Sequence, residues 1–141
     1  MTRLQEFDQY LHYECSGNAW AEVAVDYAQA LVEQFEPTDW EELPGLLNLR
    51  SEEWRERLYS AITDLPPEVL LPFLLQALPM DVELNAMEDL RQAMKTLAST
   101  HPAWQVDAHL YDAILQSANA RVGYHARFLR EVLTHLQVIN L

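Results

Sequence analysis

Two prolines at matched places in successive segments constrain this chain more than any other feature. From Thr38 the sequence runs TDWEELPGLL and then SEEWRERLYSAI; from Pro66 it runs PPEVLLPFLL and then DVELNAMEDLRQAM. In each segment a helix start is followed six residues later by a proline, Pro44 after Thr38 and Pro72 after Pro66. A Leu-Leu pair comes next, Leu46-Leu47 or Leu74-Leu75, at an offset of 28 residues between the segments. A proline inside a helix lacks a backbone N–H and bends the helix, leaving the carbonyl of Trp40 or Glu68 without its donor. A second helix follows each time, opened by Ser51 or Asp81 as cap, with Trp54 or Leu84 three positions on. The pattern predicts two helical hairpins stacked side by side.

The rest of the chain agrees with an all-α fold of about eight helices in antiparallel hairpins. Leu, Ala, Glu and Gln dominate, glycine occurs three times, and period-two runs of Val, Ile and Thr are absent. A length of 141 residues fits a single helical domain, residues 1–141, that buries a core without disulfides or metal. Its parts are N-terminal helices over 3–35, a repeat-like core over 38–98 and a C-terminal hairpin over 103–138. The first helix runs from Arg3 to Glu14 and ends at Ser16-Gly17-Asn18; the next has a stripe of Trp20, Val23 or Ala24, Tyr27, Leu31 and Phe35. Thr38 and Glu41 form a T-x-x-E capping box. Leu84, Met87, Leu90, Met94 and Leu97 make the stripe after Asp81. Two last helices are expected near Ala103 to Ala118 and Val122 to Val138. Their buried residues are Leu110, Ile114 and Leu115, then Phe128, Leu129, Val132, Leu133 and Leu136.

Charge narrows the class of partner. From Leu4 to Leu49 there are ten acids and neither Lys nor Arg, and the net charge of −13 lies wholly within residues 1–99. Such a field disfavours nucleic acid and anionic membrane and accelerates encounter with a basic protein. The plain alternative is an acidic, solvated surface that keeps the protein soluble. The N-terminus has no apolar leader, and the longest apolar run, Val69 to Leu75, is seven residues long and contains a proline. Neither classical secretion nor a membrane span is expected. A lone cysteine, Cys15, suits a reducing cytoplasm.

No motif fixes a reaction, so the chain is not expected to be an enzyme. His109, Asp112 and Asp107, with His125 and His135 on the following helix, could be drawn as a metal site. Nothing resembles H-E-x-x-H or a dense Cys/His tract, and no metal is expected. Cys15 lies three residues after His12 but lacks an orienting third group, and it reads as a small buried hydrophobe. Gly17, Gly45 and Gly123 are isolated, so no phosphate loop exists and no nucleotide cofactor is expected.

The acidic rows are the functional candidates. Trp20, Trp40, Trp54 and Trp104 read most simply as inter-helix packing residues at helical spacing; Trp40, in a first turn among Asp39, Glu41 and Glu42, is the one that could instead stay partly exposed and anchor an interface. In stacked hairpins the second helix of each pair lines one shared surface, which would place Glu52, Glu53 and Glu56 beside Asn85, Glu88, Asp89 and Gln92. The partner-binding set is therefore Asp39, Trp40, Glu42, Glu52, Glu53, Glu56, Asn85, Glu88, Asp89 and Gln92.

The L-P-x-L-L string in both segments and the capped second helix resemble HEAT-like helical repeats, which implies a right-handed stack of helix pairs. The residues themselves equally permit an irregular helical bundle. The segment WEELPGLLNLRSEEWRERL, from Trp40 to Leu58, resembles small acidic bacterial immunity proteins of polymorphic and contact-dependent toxin systems. That resemblance implies a cytoplasmic, non-enzymatic inhibitor that binds one cognate basic toxin domain, often a nuclease, and blocks its active site. A helical-repeat adaptor that holds a partner helix in an apolar groove, without inhibiting anything, is the alternative.

Overall fold

The computed structural model describes residues 1–12, 19–79 and 104–139. They are mostly helical, and they divide into two compact units, Met1–Phe73 and Leu74–Leu141. The helix at Asp81 and its stripe from Leu84 to Leu97 lie outside the described residues.

In the first unit, α1 spans Arg3–Leu11 under a capping box: Thr2 Oγ1 accepts from Gln5 N–H, and Gln5 Oε1 accepts from Thr2 N–H at 2.8 Å. Leu4, Phe7 and Leu11, one turn apart, form its buried face. A single π-helical turn, Trp20–Ala24, then leads into α2, Val25–Val32. This turn changes which side chains face inward. A π turn takes more residues than an α turn, so it delays the helical phase and carries the buried face toward later positions. Trp20, Ala24, Ala28, Leu31 and Val32 are buried, whereas Val23 is 71% exposed and Tyr27 55% exposed. The stripe expected through Tyr27 therefore passes through Ala28 instead.

Helix α3 is Pro37–Glu42, and its start corrects the Thr38–Glu41 capping box. Glu36 is the N-cap and Pro37 the first helical residue, where a fixed φ suits the helix and a missing N–H costs nothing. Asp39 reaches back to accept from Glu36 N–H at 2.9 Å. A 3-10 segment, Leu43–Leu49, follows directly, with Pro44 near its start. Ser51 then caps α4, Glu52–Ile62, by accepting from Trp54 N–H at 3.2 Å, as its sequence position implied. Trp54, Leu58, Ala61 and Ile62 are buried as expected, along with Tyr59 and Arg57. Helix α5, Pro67–Ala77, carries Pro72 in its interior. The two matched prolines thus sit in different local structures, a 3-10 segment and an α-helix. A chain of edge-to-face rings, Phe7–Phe35 at 5.3 Å, Phe35–Trp40 at 5.3 Å and Trp40–Phe73 at 5.8 Å, links α1, α3 and α5 within this unit.

The second unit differs from the expected plain hairpin. Helices α6, Ala108–Asn119, and α7, Gly123–Thr134, pack together, and Ile114, Ala118, Phe128, Leu129 and Val132 are buried on them. They are bracketed by two short strands, β1 at Trp104–Val106 and β2 at Leu136–Val138. The strands pair in parallel, Trp104 opposite Leu136 and Val106 opposite Val138. The helix expected from Ala103 therefore begins only after Asp107, whose carboxylate caps it by accepting from Leu110 N–H at 2.7 Å. The helix expected to run to Val138 stops at Thr134, where His135 N–H turns back to Val132 O. Parallel strands require a long crossover, and the α6–α7 hairpin supplies it.

Candidate interaction surface

The expected partner-binding residues of the first unit fall into two groups. On α4, Glu52, Glu53 and Glu56 are all exposed. Spacings of three and four residues put Glu56 on the same face as the other two. Glu53 Oε1 accepts from Arg57 Nη2 at 2.9 Å, while Glu52 and Glu56 make no ion pair among the described residues. Glu52 and Glu53 also lie in the first turn of α4, where the positive end of the helix dipole favours a carboxylate. On α3, Glu42 is exposed, but Asp39 is only 5% exposed and its carboxylate is engaged by Glu36 N–H. Trp40 is half-buried, held between Phe35 and Phe73, with the exposed Glu41 and Glu42 next to it in sequence. Asn85, Glu88, Asp89 and Gln92 lie outside the described residues.

The arginines decide how much of this charge is neutralised. Residues 1–73 hold fifteen acids against four arginines and no lysine. All four arginines are engaged within the unit. Arg3 pairs with Glu6 at 3.0 Å, one turn along α1. Arg50 donates from Nε and Nη2 to the two oxygens of Asp8, at 2.8 and 2.7 Å. Arg55 Nη1 donates to the carbonyls of Leu47 and Arg50, tying the end of the 3-10 segment to α4. Arg57, 7% exposed, donates from Nη1 to Leu11 O at the C-terminal end of α1 and lies 4.9 Å from the Trp20 ring centre. Exposed carboxylates at Glu22, Asp26, Glu33, Glu41, Glu42, Glu52 and Glu56 are left without a cationic partner among the described residues.

Asp8, one of the ten acids of the N-terminal run, is held by partners from the 3-10 segment's end and from α4. Asp8 accepts from Arg50 and, at 3.0 Å, from the indole N–H of Trp54. The hydrogen bonds and charge of Arg50 hold its carboxyl below the ordinary value of 3.8, against the opposing effect of burial, and Asp8 in turn raises Arg50. Nothing in the local sequence marked Asp8, because its partners lie more than forty residues away.

A second feature missed in the sequence is an open cleft of about 530 Å³ lined by Met1, Glu6, Gln9, Tyr10, His12, Tyr27 and Leu31. Tyr10 and Tyr27 meet edge to face at 4.7 Å, and the Tyr10 hydroxyl donates to Ala24 O at 3.0 Å. The π turn creates this cleft in part, since it leaves Tyr27 on the outer face of α2.

Among the described residues no three His, Cys, Asp or Glu side chains converge as metal ligands. His109 and Asp112 are exposed on α6, and His125 is half-buried on α7. No helix among the described residues is long and apolar enough to cross a membrane. No family model, curated protein or solved structure matches the chain.

Proposed function

We propose that this protein is a cytoplasmic immunity-type inhibitor, not an enzyme, that binds a cognate basic toxin domain through the acidic surface of its first unit. The toxin domain would be of a kind that acts on a polyanion, such as a nuclease. The observation that carries this reading is the internal engagement of all four arginines of residues 1–73, which leaves exposed carboxylates on α2, α3 and α4 without a cationic partner among the described residues. Like charges crowded on a surface repel one another, and Glu52 and Glu56 stand four apart on one helix. A basic partner relieves that repulsion on docking. Carboxylates would then replace nucleic-acid phosphates against Lys and Arg of the toxin cleft, speeding association and blocking substrate. A HEAT-like stacking of helical hairpins is the finer architecture proposed with this reading.

The test is a charge reversal read by stopped-flow association with the isolated partner. Glu53 is kept, because it holds Arg57 and through it the end of α1. The double variant Glu52→Lys/Glu56→Lys should slow association on the order of three- to tenfold at low salt and flatten its salt dependence. An unchanged rate and salt slope would reduce the acidic face to a solvated one. Tight but salt-independent binding would favour an adaptor that grips its partner by apolar contacts.

A further inference from the structure

We infer that the cleft between α1 and α2 seats an arginine side chain of the basic partner. The inference rests on the inhibitor reading for the origin of that arginine and adds the place where it is gripped. Tyr27 is 55% exposed, an unusual position for a large aromatic residue in the middle of a helix. Its ring is not loose: Tyr10 lies edge-on to it at 4.7 Å, and Tyr10 is itself fixed by its hydroxyl on Ala24 O. A guanidinium is planar and weakly hydrated, so it stacks on such a ring while its N–H donors remain available at the rim.

The polar lining supplies acceptors for those donors. Glu6 already accepts a guanidinium, that of Arg3, at 3.0 Å. That pair is an exposed one, and such pairs are weak enough to exchange one arginine for another. His12 Nδ1 is 2.8 Å from Asp8 O, and a carbonyl can only accept, so Nδ1 carries the proton. His12 also lines the cleft, its ring anchored by that bond to the backbone of α1. Gln9 adds an amide carbonyl. An anionic ligand would meet Glu6 and the field of a unit with fifteen acids and four arginines. An apolar helix would cover Glu6, Gln9 and His12 without giving them partners. A lysine would satisfy the charge but could neither stack nor present a fork of donors.

The probe is N-acetyl-argininamide, followed by NMR on the full chain, with N-acetyl-lysinamide as the point-charge control. Saturable shifts should appear at Tyr10, Tyr27 and Glu6 with the arginine compound and be at least twofold weaker with the lysine one. Tyr27→Leu, which keeps an apolar contact for Tyr10 but removes the ring, should weaken binding about two- to fivefold. Glu52→Lys/Glu56→Lys should leave the cleft shifts in place. Non-saturating shifts spread over all the acidic helices, or equal binding by Tyr27→Leu, would overturn the inference. The probe needs no protein partner, so loss of the cleft signal strikes this inference alone. Failure of a basic partner to bind, with the cleft signal intact, strikes the inhibitor reading instead.

Discussion

Replacing Asp8 with alanine removes a carboxylate that serves two groups at once. The indole N–H of Trp54, a residue 1% exposed, loses its acceptor. An orphaned buried donor costs about 1–3 kcal/mol. Arg50 loses a two-pronged pair whose side chains are 24% and 20% exposed, and partial exposure limits that loss to about 1 kcal/mol. The Asp8→Ala variant should therefore be about 2–4 kcal/mol less stable, a large share of the ~5–15 kcal/mol typical of a folded protein. Asp8→Asn keeps an oxygen for Trp54 and should lose less, about 1–2 kcal/mol. Urea titrations followed by tryptophan fluorescence and by far-ultraviolet circular dichroism measure both. A loss below about 0.5 kcal/mol for Asp8→Ala would refute the claim that this cluster joins α1 to α4. The depressed Asp8 carboxyl adds a pH signature. Its contribution is fully present above the ordinary value of 3.8 and is lost as pH falls through the lower folded value. Wild-type stability should fall more steeply than that of Asp8→Asn below about pH 4, and parallel curves would contradict the pairing.

Substitutions at three further positions test the scaffold. Arg57→Met deprives Leu11 O of its donor and Trp20 of its cation, and should cost about 1.5–3 kcal/mol by the same urea titration. Gly123 adopts φ +70° and has open space where a Cβ would stand, so Gly123→Ala should cost only the left-handed backbone penalty, about 1 kcal/mol, with Gly123→Asn recovering part of it. Pro72 is exposed and interior to α5, so Pro72→Ala restores an N–H for Glu68 O and should raise stability by about 1–3 kcal/mol. A loss on that substitution would mean that the proline is required to bury the neighbouring Leu71 and Phe73.

What could be read from the sequence was local. Ser51 followed by Trp54 announced a capped helix with a buried indole, and the Trp54, Leu58, Ala61 and Ile62 face followed from its period. The mostly helical character followed from the scarcity of alternating β-branched runs. The departures have non-local or phase-shifting causes. Trp104–Val106 is a strand because its partner lies at Leu136–Val138, beyond any local window. Tyr27 turned outward because one π turn upstream displaced the helical phase, and no residue type announces such a turn. Asp39 resembled its exposed neighbours Glu41 and Glu42, but with Pro37 opening the helix it fell where its carboxylate reaches the cap. Asp8 was one acid among ten until the fold brought Arg50 and Trp54 to it. Surface charge was legible as a total. Its availability to a partner depended on where four arginines were engaged.

Docking of a basic protein on the exposed carboxylates of the first unit is tested most directly by a tagged pull-down from the cells that make the protein. It is run at low and moderate salt, with wild type and Glu52→Lys/Glu56→Lys side by side. One stoichiometric basic domain should be retained by wild type, depleted by moderate salt and depleted further by the variant. Recovery of no such domain, or equal recovery by both proteins at both salts, would contradict the inhibitor reading.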